Sequence, residues 1–261
     1  MNAASQLHRI AVLVSTGRHP VSSAPQYSRN DAAALEIGQR LAGKHHAQLD
    51  VIHAGDAANP ALVDYLALGA REVEVLTCAA DEDMALALSA RVRDYDLVLT
   101  GTRGEGAFDT GMLHYRVAAA LGRALIGSAV DVDVSAGRAV IRQFLPKGLR
   151  RRVAATLPAV VAVHPLANAR PRYAYARMRS GKIRPVPVSR FVDSEADAWT
   201  LGPVERKPVR LAPAEKRSGH ARMLPATTTE SRGGSVVIEG TAVEKAQMIL
   251  GYLREHQLVD Y

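Results

Sequence analysis

Asp94-Tyr95-Asp96-Leu97-Val98-Leu99-Thr100-Gly101-Thr102-Arg103-Gly104-Glu105-Gly106-Ala107-Phe108-Asp109-Thr110-Gly111 is the stretch on which the reading of the fold turns. Tyr95 to Thr100 is a short apolar, β-branched run between charged and glycine residues, the pattern of a strand buried on both faces of a parallel sheet. Gly101, Gly104, Gly106 and Gly111 then let the backbone turn tightly and aim several N–H groups at one point. Met112 to Leu121 has helical spacing, so the loop leads into a helix N-terminus, where unpaired N–H groups and the dipole favour an anion. The same residues also read as a plain strand-to-helix turn, and both readings stand at this point.

Upstream, strands and helices alternate. His8 to Ser15 reads as a first buried strand ended by Gly17-Arg18-His19-Pro20, and a polar loop leads to a helix over Ala32 to Ala42. Ser28 or Asn30 is placed to cap that helix, and Asp31 suits its positive N-terminal end. Gln48 to His53 is a strand, Pro60 to Leu68 a helix, Glu72 to Thr77 a strand and Asp83 to Val92 a helix. Such alternation implies right-handed crossovers and a parallel sheet whose ligands bind beyond the carboxyl ends of the strands. Those ends carry Ser15, His53 and Gly101, which are expected to face one crevice.

Downstream, Ile126 to Val134, Arg138 to Phe144 and Arg151 to Val163 are β-prone and separated by turn residues, which predicts a hairpin-rich extension. Leu157 to Val163 reads within it as another buried strand. From Asn168 to Arg232 periodicity fades into proline, arginine and lysine, predicting a long arm that is disordered or laid over a partner. Ser235 to Glu239 reads as a short strand and Thr241 to His256 as an amphipathic helix with Thr241 and Glu244 at its start. The expected divisions are residues 1–188 as an α/β nucleotide-binding domain, 189–234 as an extended arm, and 235–261 as a C-terminal strand and helix that docks elsewhere.

Composition narrows the chemistry. Aromatics make up only 5% of the 261 residues, so the core must be built from small aliphatic side chains, as α/β folds allow. The single cysteine excludes an intrachain disulfide and a cysteine metal cluster, pointing to a reducing compartment. No apolar run approaches a membrane span and the N-terminus lacks the pattern of a secretory signal, so a cytoplasmic protein without membrane insertion is expected. The net charge of +7 is concentrated between Arg142 and Arg222 without aromatic interleaving or a recognition motif. That favours an acidic protein surface as partner over nucleic acid.

No catalytic set is visible. His19, His45, His46, His53, His114 and His164 lack the spacing of metal ligands, Ser15 has no nucleophile elbow, and the P-loop signature is missing. A glycine-rich crevice without acid, base or metal points to binding rather than catalysis.

Taken in order, several segments resemble the β subunit of electron-transfer flavoproteins. They are the first strand ending near His19-Pro20, the helix start Ser28-Arg29-Asn30-Asp31, and Leu66-Ala67-Leu68-Gly69-Ala70-Arg71. Further along come the Gly101 to Gly111 loop, Leu157-Pro158-Ala159-Val160-Val161, and Pro171-Arg172-Tyr173-Ala174. The resemblance covers nearly the whole chain. It implies a Rossmann-like α/β fold of the adenine-nucleotide-binding type and a heterodimer in which an α subunit holds most of the FAD. The β subunit walls one side of that FAD and buries a structural AMP. Carried over by position, the nucleotide contacts fall on Leu13, Ser15, Ser28, Asn30, Asp31, His53, Gly101, Thr102, Arg103, Gly104, Gly106, Phe108, Asp109 and Thr110. Two of these positions depart from the family pattern: Phe108 stands where the family has asparagine, and Asp109 would repel a phosphate unless it faces ribose.

The family further implies a flavin dehydrogenase as electron donor and a quinone oxidoreductase as acceptor on the way to the respiratory chain. Members that serve acyl-CoA dehydrogenases carry a Leu-Pro anchor after the tyrosine equivalent to Tyr173, where this chain has Ala174-Tyr175-Ala176-Arg177-Met178-Arg179. Tyr173, Tyr175 and Met178, flanked by Arg177 and Arg179, are therefore the expected docking residues. The rival reading is a stand-alone adenine-nucleotide-binding protein of the universal-stress type. That family needs a Gly-Ser or Gly-Thr where His114 stands, and an adenylating enzyme needs a Ser-Gly-Gly loop where Ser15-Thr16-Gly17 stands.

Overall fold

The computed structural model describes residues 7–19, 21–79, 82–103, 111–191, 200, 202, 240–256 and 258–259. Residues 1–199 and 200–261 form two compact units. The first is organised around a nine-stranded sheet in the order β11-β5-β4-β1-β6-β10-β7-β8-β9. Its strands are β1 (Arg9–Leu13), β4 (Gln48–Gly55), β5 (Glu72–Thr77), β6 (Leu97–Gly101), β7 (Ala124–Ser135), β8 (Arg138–Phe144), β9 (Arg150–Thr156), β10 (Ala159–Val163) and β11 (Lys182–Pro187). From β11 to β7 every pairing is parallel, and β8 and β9 extend the sheet antiparallel. The α/β fold with a mostly parallel sheet is the one expected.

Alternation along the central strand decides what packs where. Ile10 and Val12 turn to the face covered by α1 (Arg29–His45) and α2 (Leu62–Ala67), joining Leu35, Ile37, Leu41 and Leu62. Ala11 and Leu13 turn to the other face and join Leu88 of α3 (Met84–Arg91) and Val117 of α4 (Leu113–Leu121). A strand buried on both faces leaves no polar positions, which is why β6 and β10 read as continuous apolar runs.

The structure corrects the sequence reading in three places. The polar loop after β1 contains a small antiparallel hairpin, β2 (Thr16–Arg18) with β3 (Pro25–Tyr27). Three-residue strands are too short to show periodicity. Within Arg151 to Val163, β9 ends at Thr156 and the buried strand read from Leu157 begins only at Ala159, where the chain returns to the centre of the sheet beside β6. Part of the expected arm is ordered as α5 (Tyr175–Ser180) and β11, which pairs in parallel with β5. Pro185 and Pro187 fit there because β11 is an edge strand, where a missing N–H costs no ladder bond. The expected strand over Ser235 to Glu239 lies outside the described residues.

In the second unit the described element is α6 (Ala242–Glu255). Its capping box is the one read from sequence: Thr241 accepts from Glu244 N–H, and the Glu244 carboxylate accepts from Thr241 N–H at 2.7 Å.

Candidate functional site

The carboxyl ends of β1, β4 and β6 meet the N-terminal turn of α1. Ser28 caps α1, its hydroxyl accepting from Asp31 N–H at 3.2 Å. One oxygen of the buried Asp31 accepts from Ser15 N–H at 2.8 Å and from the Ser15 hydroxyl at 2.6 Å; the other accepts from Gly101 N–H at 2.8 Å. Tyr65, fully buried on α2, donates to Ser15 O at 2.6 Å and accepts from Ser28 N–H at 3.0 Å. Two side chains from two helices thus fasten both strand ends to the helix start. Burial pushes the Asp31 carboxyl up to about 6, and the donors on Ser15 and Gly101 hold it from rising further.

Gly101 is required by this approach. A Cβ there would lie 2.5 Å from Asp31 Oδ1 and 2.7 Å from Asn30 Cβ, so α1 could not sit where it does. His53 lies at the same level on β4. Its Nδ1 is 2.8 Å from Val14 O, a carbonyl that can only accept, so Nδ1 carries the proton and Nε2 is left as an acceptor. Burial lowers the His53 pKa and keeps the ring neutral. Gly55, at φ +146°, has no Cβ that would crowd His53 Nε2, which a side chain there would approach to 2.9 Å. Thr102 N–H bonds Val163 O at 3.2 Å as the chain leaves β6, and Arg103 beyond it is exposed. α4 then begins without a side-chain cap, and Arg116 in its first turn pairs with Asp83, the cap of α3, at 2.7 Å.

The expected trio Ser15, His53 and Gly101 is therefore brought together, with Asn30, Thr102 and the start of α1 alongside. Their roles divide. The side chains of Ser15, Ser28 and Asp31 bond to one another and to the backbone, and the Leu13 side chain is buried, so these side chains frame the crevice. His53 Nε2, the start of α1 and the bare edge at Gly55 are what the crevice offers a ligand. A neutral acceptor and a helix N-terminus in one crevice can take a donor group and an anion. Gly104, Gly106, Phe108, Asp109 and Thr110 lie outside the described residues. Tyr65 was missed by sequence reasoning, because in a helical pattern a tyrosine reads as core and its hydroxyl partners lie 50 and 37 residues away.

The expected docking residues lie on and before α5. Tyr175 is 76% exposed, while Tyr173 donates its hydroxyl to Asp64 at 2.6 Å and stacks edge-on against Tyr175. Met178 is half-buried under Tyr173, and Arg177 and Arg179 are exposed. Arg184, the last cation of the segment, is engaged by Glu72 and Glu74. Among the described residues no helix is long and apolar enough to cross a membrane, and no group of three His, Cys, Asp or Glu side chains is gathered to hold a metal.

The sequence model of the electron transfer flavoprotein domain matches residues 23–190, well over half of the chain. The chain belongs to the electron transfer flavoprotein family. It is 32% identical over 257 residues to the electron transfer flavoprotein subunit beta of Chromohalobacter salexigens, covering 96% of this chain and 95% of that one. The match begins inside the β2–β3 hairpin and ends after β11, so α1, the Gly101 loop and α5 all fall within it.

Proposed function

We propose that this chain is the β subunit of a heterodimeric electron carrier that takes electrons from a flavin dehydrogenase and passes them toward a quinone oxidoreductase of the respiratory chain. The observation that carries the reading is the crevice at β1, β4 and β6, where, among the described residues, the buried Asp31 is spent on Ser15 and Gly101 and the buried His53 is held neutral. Such a site is built to hold a nucleotide and is poor in groups to transform one.

FAD, shared with an α subunit, would supply the redox chemistry when bound. What this chain contributes is position. The start of α1, the Gly101 to Arg103 turn and His53 Nε2 would hold the nucleotide, an AMP, and Ser15, Asp31 and Tyr65 would keep those elements in register. α6 offers an apolar face to the α subunit: Val243, Met248, Ile249 and Tyr252 are 65%, 48%, 62% and 52% exposed. α5, with Tyr175 standing clear among arginines, is the docking element for the dehydrogenase.

Co-purification with the α subunit tests the reading. The complex is expected to show flavin absorption and, after acid extraction and chromatography, to release both FAD and AMP. Release of FAD alone would remove the nucleotide from the crevice. A monomer that carries stoichiometric FAD by itself would overturn the shared-site reading.

A further inference from the structure

Alternation along β4 sets the direction of His53. Val51 belongs to the core under α1 and α2 and Ile52 to the core under α3 and α4, so His53, two residues after Val51, turns to the α1 side of the sheet. There its ring is fixed from the end of β1: Val14 donates its N–H to Ile52 O at 2.9 Å, and its carbonyl accepts from His53 Nδ1 at 2.8 Å. The second bond settles the tautomer and leaves Nε2 without a proton. His53 is 6% exposed, yet Nε2 has no partner among the described residues and is not one of the side-chain atoms sealed from water without one, which there are Arg9 Nε, Glu36 Oε2 and His45 Nε2. It is an acceptor in a buried ring with one open side. Gly55 keeps that side open, since a Cβ there would stand 2.9 Å from Nε2.

The polar side chains beside it are either committed or adaptable. Asp31 spends both oxygens on Ser15 and Gly101. The Asn30 amide and the Thr102 hydroxyl can each turn to present a donor or an acceptor, so they accommodate ligands of either kind. His53 cannot turn in this way while Val14 O holds Nδ1. An acceptor on a ligand set against Nε2 would leave two polar atoms facing each other unpaired, and a site built around a fixed hydrogen bond rejects such a ligand strongly.

We propose that His53 is the specificity-determining residue of the crevice, its Nε2 selecting a nucleotide that turns a hydrogen-bond donor toward β4. The inference rests on the nucleotide reading of the crevice and adds to it the kind of group that is read. In an adenosine monophosphate that donor is either the amino group of the base or a ribose hydroxyl, and Nε2 accepts from each in the same way. A nucleotide lacking the one donor keeps its phosphate and the rest of its contacts but leaves Nε2 unpaired, which lowers its affinity about tenfold.

The test is nucleotide exchange on the complex with the α subunit. The complex is equilibrated with equal concentrations of AMP and one competitor, and the bound nucleotides are quantified after acid extraction and chromatography. The competitors are purine riboside 5′-monophosphate, which lacks the amino group, and the 2′-deoxy and 3′-deoxy forms of AMP, which each lack one hydroxyl. One of the three is expected to be taken up about tenfold less than AMP, and its identity names the donor. His53→Phe keeps a ring without the acceptor and should take that competitor and AMP about equally, while the other two ratios stay at their wild-type values. His53→Gln, whose amide turns either way, should narrow the same preference, and thermal melts check that both variants fold. Equal uptake of all three competitors by the wild type would overturn the proposal and leave the nucleotide reading standing. So would an unchanged preference in both variants, or a loss of every nucleotide alike, which would make His53 a purely structural residue. A wild-type complex that takes up none of these nucleotides would overturn both readings together.

Discussion

Asp31 Oδ1 accepts a hydrogen bond from Gly101 N–H at 2.8 Å, joining the first turn of α1 to the end of β6 across 70 residues of sequence. The other carboxylate oxygen holds Ser15, so one side chain sets the distance between the two strand ends that border the crevice. Asp31→Asn keeps the shape but turns an NH2 group toward backbone N–H donors. It is expected to lower stability by about 1–3 kcal/mol in denaturant titration, the cost of one abandoned buried donor.

The same carboxyl carries a pH dependence whose sign is fixed by its environment. Its pKa rises from an ordinary 3.8 to about 6 because burial penalises the charged form. The folded state therefore holds this proton more tightly than the unfolded state. Its contribution is complete below about pH 4 and is lost as pH rises through about 6, by roughly 3 kcal/mol at 1.36 kcal/mol per unit. Stability of the wild type relative to Asp31→Asn should thus increase as pH falls from 6.5 to 4. A difference that stays flat over that window would place the Asp31 pKa at its ordinary value.

Gly101→Ala tests the close approach of α1. The added methyl would fall inside contact distance of Asp31 Oδ1 and Asn30 Cβ, and both belong to a helix start held by Ser28 and Tyr65. Overpacking of this kind costs about 1–3 kcal/mol, and the displaced helix should also release the bound nucleotide. The expected result is a lower melting temperature together with less AMP on acid extraction. A variant with native stability and full AMP content would show that α1 yields without cost.

Much of this frame was legible because its signals are local. Glu72 to Thr77 and Arg138 to Phe144 were bounded to the residue, and Thr241 with Glu244 announced a capping box three residues apart. What was not legible depends on distant partners. Asp31 reads in sequence as a helix N-terminal acid, and nothing near it shows that Ser15 and Gly101 claim its oxygens. β11 was hidden for a different reason: an edge strand of lysine, arginine and proline has neither apolar continuity nor clean alternation, and only its pairing with β5 makes it a strand.

β11 is held to the sheet by a polar network that offers a further test. Glu74 on β5 is 4% exposed and is gripped from both sides: Arg91 of α3 donates at 2.5 and 2.9 Å, and Arg184 of β11 at 2.6 Å. Arg91 also reaches Tyr95, which donates to Asp50 at 2.6 Å. Removing Arg91 leaves the buried carboxylate with one half-exposed partner. Arg91→Ala is expected to cost about 3 kcal/mol in denaturant titration, and Arg184→Ala less, because Arg184 is half-exposed and water screens its pairing. Equal losses would mean that the network is held from the edge strand.

The last prediction concerns docking on α5. Tyr173 is tied to Asp64, so the apolar group free to enter a partner is Tyr175, with Met178 supporting it from beneath Tyr173. Arg184 is engaged by Glu72 and Glu74, which leaves Arg172, Arg177, Arg179 and Lys182 to make the positive field around the knob. Charges so placed raise the association rate more than the affinity, and their reach shrinks to about 8 Å at physiological ionic strength. A transient redox partner needs that combination of fast arrival, small apolar contact and fast departure. Tyr175→Ala is therefore expected to slow reduction by the dehydrogenase about five- to tenfold while leaving the flavin spectrum and the heterodimer unchanged. Arg179→Ala should leave the contact in place but flatten the decline of the rate with added salt. Stopped-flow reduction of the complex across a salt series separates the two effects. If Tyr175→Ala reduces at the wild-type rate and the wild-type rate ignores salt, the dehydrogenase docks on another surface.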